Sequence, residues 1–296
     1  MAGAAPSALE LVRALPLWTG PVEITPLPGG ITNRNYLVAE RGRRFVVRLG
    51  QDIPVHGILR FNEHAASRAA AAAGVSPEVV HAAPGVLVIR YVEGRTLAAA
   101  DVRAGRDRCV ALVRRVHRDV ARHLRGPALS FNVFHVLHDY GQTLSERGSR
   151  MTARLPELLQ AVETLAEAAG PIALVFAHND LLAANFIDDG ERLWLIDWDY
   201  AGFNTPLFDL GGLSANNGFD EDADTAMLEA YFERPASDEL RLRYRAMRCA
   251  ALLREAMWSM VSEIESDIEF DYVAYTAENL ARFEAAWRSL NEKMRR

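Results

Sequence analysis

Apolar and polar residues alternate along much of the first ninety positions, and this pattern predicts β-strands. Short alternating runs bounded by Gly, Pro or Asn are typical of strands that bury one face. Residues 59–73 instead repeat their apolar positions at helical spacing, and a shorter helix is predicted at residues 7–19. We therefore expect a small antiparallel sheet with one main helix, the strands lying at residues 22–27, 35–39, 44–49, 79–81 and 86–90.

From residue 104 onwards the apolar positions recur every three or four residues, which is the period of an amphipathic helix. The sequence Tyr-Val-Glu-Gly at residues 91–94 breaks the earlier pattern and fits a hinge. The chain is therefore predicted to be α+β and bilobal, with a small lobe at residues 1–92 and a larger, mainly helical lobe at residues 93–296. Helices are expected at residues 106–122, 134–146, 155–169, 204–212, 221–232, 237–265 and 270–292.

Two polar segments interrupt short apolar runs in the middle of the chain. Residues 178–185 follow the apolar run 173–176, and residues 197–200 follow the apolar run 193–196. Such runs are typical of buried strands, so the polar groups are expected to share one space at the strand ends. Phosphoryl transfer needs such a set: one carboxylate to accept the alcohol proton, and an amide with a second carboxylate to hold Mg²⁺.

Each of these polar residues also has a simpler interpretation, because Asp and Asn at strand ends are common turn formers. The spacing of the whole set, His-x-Asp-x4-Asn with a further Asp twelve residues later, argues against that alternative. The set resembles the catalytic and metal-binding loops of protein-kinase-like enzymes. Asn179 stands in place of the Arg of protein kinases, and Trp198-Asp199 in place of Phe-Gly, which points to the small-molecule kinase branch.

What this resemblance implies is a kinase that uses ATP and Mg²⁺. Asp180 would accept the hydroxyl proton or orient the attacking oxygen. Asn185 and Asp197 would hold the metal ion, and Asp199 would assist a second one. Asp209, at the start of the next predicted helix, would brace the backbone of the catalytic loop rather than meet the substrate.

A glycine-containing loop lies between the first two predicted strands, with Gly29, Gly30, Thr32 and Asn33 at its centre. A strand, a Gly-rich loop and a second strand are how kinase-like folds lay backbone N–H groups over nucleotide phosphates. By itself the pattern is also typical of a plain hairpin turn, and this alternative stays open.

Arg48 ends the third predicted strand, at the position where most kinases carry Lys, and Glu63 lies in the first turns of the predicted main helix. Paired with Glu63, the planar guanidinium would hold phosphate oxygens in pairs. The alternative for Glu63 is a solvated helix residue. Backbone groups of Tyr91, Val92 and Glu93 are expected to bind the adenine edge, which is an inference from the fold alone.

With residues 258–275 of the C-terminal third included, the sequence resembles bacterial-type choline/ethanolamine kinases in particular. The activity implied is phosphorylation of the hydroxyl group of a small cationic amino alcohol. The alternatives are a kinase of another aminated alcohol, such as an aminoglycoside or a thiamine-like compound, and a nucleotide-binding pseudokinase that acts as an interaction module. Within residues 20–290, the segments that carry the resemblance are 131–134, 178–185, 196–202, 208–210 and 258–275.

A quaternary ammonium cannot donate a hydrogen bond, so aromatic faces and diffuse negative charge must hold it. The choline-selective members of the family carry a second Trp one turn before Trp258, where this chain has Glu255. A carboxylate there suits an ammonium that donates hydrogen bonds, or a polyhydroxylated amine. The acidic run at residues 262–272 either lines the same pocket or is solvated surface. The other candidate substrate-binding residues are Asp180, Asp199, Tyr200, Tyr272 and Tyr275.

The net charge is −6, and positive and negative residues are mixed along the chain. The sequence therefore gives no sign of the basic surface typical of nucleic-acid-binding proteins. Cys109 and Cys249 fit neither a disulfide framework nor a metal clip, which favours a reducing compartment. No stretch reaches the ~18 apolar residues of a membrane span, and the start lacks a secretory signal pattern. We therefore expect a cytoplasmic protein whose partner is a small-molecule substrate; nothing in the sequence indicates its oligomeric state.

Overall fold

The computed structural model of the protein describes residues 7–28 and 33–295. Gly29, Gly30 and Thr32, which the sequence places over nucleotide phosphates, lie outside these residues. The predicted α+β architecture is confirmed, because an antiparallel sheet near the N-terminus is followed by a mainly helical remainder.

The N-terminal sheet consists of antiparallel strands that bury alternate residues. Its strands are β1 (Glu23–Leu27), β2 (Arg34–Glu40), β3 (Arg43–Leu49), β4 (Val79–Ala83) and β5 (Val86–Arg90). They are hydrogen-bonded in the order β1-β2-β3-β5-β4. Arg41 and Gly42 join β2 to β3 with φ values of 50° and 77°, and two-residue hairpin turns of this kind require positive φ at both positions.

A short helix, α1 (Ala8–Arg13), packs on the same core as the sheet. It begins at a capping box, in which the Ser7 hydroxyl accepts from the N–H of Glu10, and the Glu10 carboxylate accepts from the N–H of Ser7. The helix predicted at residues 7–19 was therefore too long at its C-terminal end. Pro16 disfavours helical backbone at the residue before it, so the helix cannot continue through that position.

The helix α2 (Arg60–Ala72) connects the sheet to the rest of the chain. Its first turn carries Arg60 and Glu63, and both side chains are buried. The alanine face of α2 belongs to the large apolar core of the C-terminal part, whereas the sheet has a smaller core of its own under α1. The division of the chain at residue 92 stays a prediction.

The C-terminal part is built around one long helix, α9, which packs against α5, α6, α7 and α10. None of the helices within residues 7–28 and 33–295 is long and apolar enough to cross a membrane. The helices are α3 (Ala99–Ala104), which was not predicted, α4 (Arg106–Asp119), α5 (Val133–Glu146), α6 (Leu155–Ala169), α7 (Pro206–Asn217), α8 (Glu221–Phe232), α9 (Asp238–Glu265) and α10 (Tyr272–Met294).

Short strands hold the central loops in place. β6 (Arg95–Thr96), β8 (Phe186–Asp188) and β9 (Leu193–Leu195) form one small sheet, and β7 (Val175–Ala177) pairs with β10 (Gly202–Asn204). The loops after β7 and β9 therefore emerge beside each other. β6 and β10 were not predicted, because two- and three-residue strands carry no periodic pattern.

At Gly211, α7 packs against the backbone of α9, since a Cβ atom there would lie 2.9 Å from the Cα and backbone N atoms of Arg248. Gly211→Ala should therefore lower the free energy of unfolding by about 1 to 3 kcal/mol through overpacking. Gly212→Ala is the matched control, because nothing lies within 4 Å of a Cβ atom there, and this change should be neutral or stabilise by up to about 1 kcal/mol. Urea denaturation measures both; equal effects would contradict the close packing of these helices.

Candidate active site

The loop after β7 is held by a buried carboxylate in the first turn of α7. Asp209 accepts hydrogen bonds from the backbone N–H of His178 at 2.9 Å and of Asn179 at 2.7 Å, and from His117 Nε2 at 2.8 Å. Burial alone would raise the pKa of Asp209, but the bond and charge of His117 lower it below the ordinary value. The carboxylate therefore stays ionised, and the prediction that Asp209 braces the loop backbone is confirmed.

Asn179 has the left-handed backbone that turns this loop, with φ of 66°. Asn tolerates this conformation better than most residues. Its carboxamide is fixed on both sides, because Nδ2 donates to the carbonyl of Tyr200 at 2.9 Å and Oδ1 accepts from Asn204 Nδ2 at 2.8 Å. The residue that replaces the Arg of protein kinases thus binds the catalytic loop to the segment after β9.

His178 is fully buried and makes a second link between the two central loops. Its Nε2 donates to the carbonyl of Ile196 at 2.9 Å, and its Nδ1 accepts from the backbone N–H of Asp180 at 3.3 Å. These partners assign the neutral tautomer with the proton on Nε2, and burial lowers the pKa of the imidazole. Trp198 packs against the ring at 4.8 Å, so His178 orients the loops and faces no cleft.

Asn185 lies between the other two predicted catalytic residues. Its Nδ2 donates to the main-chain carbonyl of Asp180 at 2.8 Å and approaches the Asp180 carboxylate at 3.4 Å. Its main-chain carbonyl accepts from the N–H of Ile196 at 2.9 Å, the residue directly before Asp197. Asn185 is therefore bonded to Asp180 directly and to the loop that carries Asp197 through the backbone of Ile196.

Asn185 and Asp197 provide the kind of oxygen ligands that Mg²⁺ prefers. The Oδ1 atom of Asn185 receives no hydrogen bond from the described residues, and the side chain of Asp197 is 30% exposed. No group of three or more His, Cys, Asp or Glu side chains suited to a metal ion occurs in the part of the chain that the structure describes. Magnesium sites that share their ion with substrate phosphates use one or two protein carboxylates in this way, so the residues fit such a site.

The region bordered by Asp180, Asp197 and Glu255 is called the cleft. Two buried arginines form ion pairs at its head with Glu63, Asp197 and Asp199. Arg48 lies 3.4 Å from Glu63, 2.8 Å from Asp197 and 3.2 Å from Asp199. Arg60 donates to Glu63 at 2.7 Å and to Asp199 at 2.9 Å. Burial raises the pKa of Glu63, while Arg48 opposes the shift. Glu63 is thus paired with Arg48 and buried, which excludes the solvated alternative.

Arg60 is a residue that sequence reasoning missed. Its guanidinium also donates from Nε to the carbonyl of Gln51 at 2.9 Å, so it is held on several sides and doubles the positive charge beside Glu63. The sequence feature that could have revealed Arg60 is its position three residues before Glu63 in the first turn of a predicted helix, because residues at this spacing share one face.

Asp199 is enclosed by these cations and is only 3% exposed. One carboxylate oxygen accepts from Arg48 and Arg60, and the other accepts from Asn33 Nδ2 at 3.1 Å. These partners favour a bracing role for Asp199, in which it holds Arg48 and the residue after the glycine loop. Its predicted roles as second metal ligand and substrate contact stay predictions.

The predicted adenine-binding segment continues the edge of β5. The backbone N–H of Tyr91 donates to the carbonyl of Arg44 at 3.1 Å, so this amide is already used within the sheet. Arg44 also stacks over the Tyr91 ring at 4.4 Å and forms an ion pair with Glu93. Val92 is half-buried. Gly94, two residues later, lies against the Asp188 carbonyl, because a Cβ atom there would be 2.7 Å from its oxygen.

The predicted aromatic cage is present in part, as one wall formed by α9 and the start of α10. The Trp258 ring lies 6.2 Å from the Tyr272 ring and 6.4 Å from the Tyr275 ring. The Tyr275 hydroxyl donates to Glu255 at 2.8 Å, so Glu255 faces this wall. His56 packs on Trp258 at 5.3 Å and bonds to Tyr140 and Ser262.

Tyr200 lies apart from this wall, with Arg254 between. The Arg254 guanidinium lies 4.5 Å above the Tyr200 ring and 5.6 Å from the Phe131 ring, and its Nη1 donates to Glu255 at 2.8 Å. Arg254 lies within the helix predicted at residues 237–265, and its side chain is 95% buried; sequence reasoning did not assign it to the site. The missed signal was its charge, because buried arginines require partners.

Residues 267–271 of the acidic run are exposed, which favours the solvated-surface interpretation for that part of the run. The two ends of the run, Ser262 and Tyr272, are buried, and Tyr272 belongs to the aromatic wall. Glu263 pairs with Arg150 at 2.8 Å, and Glu265 pairs with Arg147 at 2.9 Å. The run therefore supplies surface ion pairs, and the acidic residue of the cleft wall is Glu255.

Similarity to known proteins covers nearly the whole chain. A model of the phosphotransferase enzyme family matches residues 23–247. The protein LicA from Haemophilus influenzae is 26% identical over 274 residues, which is 89% of this chain and 79% of LicA. Ethanolamine kinase 2 from Mus musculus is 28% identical over an alignment of 313 residues, 91% of this chain and 78% of the mouse protein.

A solved structure agrees with these matches. The crystal structure of a choline/ethanolamine kinase family protein from Mesorhizobium loti superposes with a TM-score of 0.76 and is 31% identical in sequence. The match covers 93% of this chain and 91% of that one.

Burial raises the pKa of Asp180 to about 8 from an ordinary 3.8; Arg254 opposes the shift, and the negative neighbours Glu255, Asp197 and Asp199 add to it. The folded protein therefore keeps a proton that the unfolded chain releases near pH 4. The resulting stability is present below pH 4 and lost as pH rises towards 8. Asp180→Asn removes this titration, so relative to wild type it should gain about 1 to 3 kcal/mol between pH 4 and pH 9, a range reduced because Asp180 is partly exposed.

Denaturation curves at both pH values measure the difference. Asp222→Asn, on the exposed first turn of α8, is the control for removing a surface aspartate. A gap between wild type and Asp180→Asn that does not change with pH would contradict the raised pKa.

Proposed function

The chain belongs to the phosphotransferase enzyme family and, within it, to the choline/ethanolamine kinase family, and we propose that it phosphorylates a small amino alcohol with ATP. The observation that supports the proposal is the hydrogen bonding of Asn185, which donates to the main-chain carbonyl of Asp180 and accepts from Ile196, the residue before Asp197. In the proposal Asp180 accepts the proton, and Asn185 and Asp197 are the oxygen ligands of the metal ion. This is the arrangement that transfer from a nucleotide to an alcohol requires.

In the proposed reaction the substrate hydroxyl donates its hydrogen bond to Asp180. A bond forms between that oxygen and the γ-phosphorus, while the bond from phosphorus to the β–γ bridging oxygen breaks and ADP leaves. The hydroxyl proton passes to Asp180, whose raised pKa of about 8 makes it a competent acceptor near neutral pH once it is ionised. The neutral His178 and the ionised Asp209 keep the loop in this geometry.

Asn185 and Asp197 would hold Mg²⁺, which neutralises charge on the phosphate oxygens when bound. Asp197 at present pairs with Arg48 at 2.8 Å. We propose that Arg48, positioned by Glu63, turns its donors to the α- and β-phosphates when the nucleotide binds. Gly29, Gly30, Thr32 and Asn33 would cover the phosphates, and the backbone of residues 91–93 would face adenine.

The amino end of the substrate is proposed to lie on the wall of Trp258, Tyr272 and Tyr275. Aromatic faces attract an ammonium group by about 0.5 to 2 kcal/mol each. Glu255, which accepts from Tyr275, adds negative charge on the same side.

Asp180→Ala should lower turnover by about 10²- to 10⁴-fold, because it removes the proposed acceptor of the hydroxyl proton. ATP affinity should change less than about threefold, since Asp180 does not contact the proposed phosphate site. A coupled assay of ADP release with ethanolamine and choline measures turnover, and calorimetry measures nucleotide binding. Asp222→Ala on the exposed start of α8 is the matched control.

A variant at Asp180 that keeps more than a few per cent of activity would refute its assignment as base. Turnover with larger aminated alcohols and none with ethanolamine or choline would move the substrate to another class. ATP binding without turnover of any alcohol would refute the kinase proposal itself.

A further inference from the structure

Several buried polar atoms around Arg254 have no hydrogen-bond partner among residues 7–28 and 33–295. They are the hydroxyl oxygen of Tyr200, Nε and Nη2 of Arg254, and Nε1 of Trp258. Arg254 and Trp258 are one turn apart on α9 and share a face, and Tyr200 lies under the guanidinium. The three nitrogen atoms can only donate, so each of them needs an acceptor.

The unpartnered atoms of Arg254 form one edge of the guanidinium. Nη1 donates to Glu255, whereas Nε and Nη2 lie side by side and point the same way in the planar group. A carboxylate binds such an edge through two parallel charge-assisted hydrogen bonds. Glu255 does not fill this role, because its oxygens accept from Nη1 of Arg254 and from the hydroxyl of Tyr275 and not from Nε or Nη2.

Arg254 lies next to the proposed reaction centre. Together with Asp180 and Glu255 it lines a cavity of about 20 Å³, which has room for a single small polar group. The rings on its other side, Phe131 and Tyr200, line a cavity of about 260 Å³. Arg254 is stacked on both rings and therefore separates the two cavities.

Arg254 also takes the place in which Tyr200 was expected to contact a substrate cation. The guanidinium occupies the face of the Tyr200 ring and is paired with Glu255. A quaternary ammonium there would meet a fixed like charge and gain no hydrogen bond. The face left for an ammonium group is the one formed by Trp258 and Tyr275.

We propose that the alcohol phosphorylated by this protein also carries a carboxylate, and that the Nε–Nη2 edge of Arg254 binds it. The substrate class is then a small hydroxy amino acid, with its hydroxyl at Asp180 and its ammonium group towards Trp258 and Tyr275. The inference rests on the proposed kinase function and narrows its substrate. Arg254 is a specificity-determining residue in this arrangement.

Ethanolamine and L-serine make a matched pair of probes, because they differ only by a carboxylate on the amine-bearing carbon. Wild-type kcat/KM should be at least about tenfold higher for serine than for ethanolamine. Arg254→Met should lower kcat/KM for serine by at least about tenfold more than it lowers kcat/KM for ethanolamine, because both probes lose the positive charge near Asp180 and only serine loses the two-bond contact. Arg254→Lys should recover part of the loss, because it keeps the charge without the two-donor edge.

Arg288→Met on the exposed side of α10 is the control for removing an arginine and should leave both values unchanged. A wild-type preference for ethanolamine or choline over serine would overturn the inference and leave the kinase proposal standing. An equal loss for both probes in Arg254→Met would also overturn it, because Arg254 would then serve the structure alone.

Turnover of no alcohol would refute the kinase proposal, and calorimetric titration of serine and ethanolamine into the wild-type protein then decides the role of Arg254. Tighter binding of serine that is lost in Arg254→Lys supports the carboxylate contact. Equal binding of the two probes overturns it. If Arg254→Met does not fold, the Lys variant and the wild-type comparison give the same decision.

Discussion

The geometry of the cleft depends on one buried carboxylate that accepts backbone hydrogen bonds. Asp209 receives the N–H groups of His178 and Asn179, and an ionised acceptor makes such bonds stronger than a neutral one. These bonds offset the cost of the positive φ at Asn179. Because α7 and β7 are fixed by the core on either side, the loop that carries Asp180 has one position relative to the helices.

The charges at the head of the cleft follow a second constraint. Arg48 and Arg60 are buried together with Glu63 and Asp199, and burying charges is tolerable only when each is paired. This network joins the central strand of the sheet, the first turn of α2 and the loop after β9. The proposed phosphate-binding cation is thus oriented by residues from three separate parts of the chain, and a ligand that draws Arg48 away from Asp197 acts on all three.

Sequence reasoning predicted the elements with long periodic patterns and missed those without one. The stripes of α6, α8 and α9 repeat over many residues, so their bounds were close to those observed. Asp180, Asn185 and Asp197 were predicted as site residues because their spacing is distinctive. Arg60 and Arg254 were not identified, since each stands within a helical stripe and its role depends on the residue across the cleft. For the same reason, the sequence did not predict that Arg254 lies over Tyr200 and separates it from the wall of Trp258, Tyr272 and Tyr275.

Burying the guanidinium of Arg254 among aromatic rings costs free energy of desolvation, so we expect the residue to have a function. Among the described residues, Arg254 has one charged hydrogen-bond partner, Glu255. Replacing a buried ion pair by apolar side chains is often neutral or stabilising. The positive charge of Arg254 lowers the pKa of Asp180 against the effect of burial, which favours the ionised base. Lowering the pKa of Asp180 needs a positive charge nearby but does not need the Nε and Nη2 donors of Arg254 to face the same way. A substrate carboxylate would use both the charge and the two donors. The position of Arg254 is therefore better explained by a substrate that carries a carboxylate than by its effect on Asp180 alone.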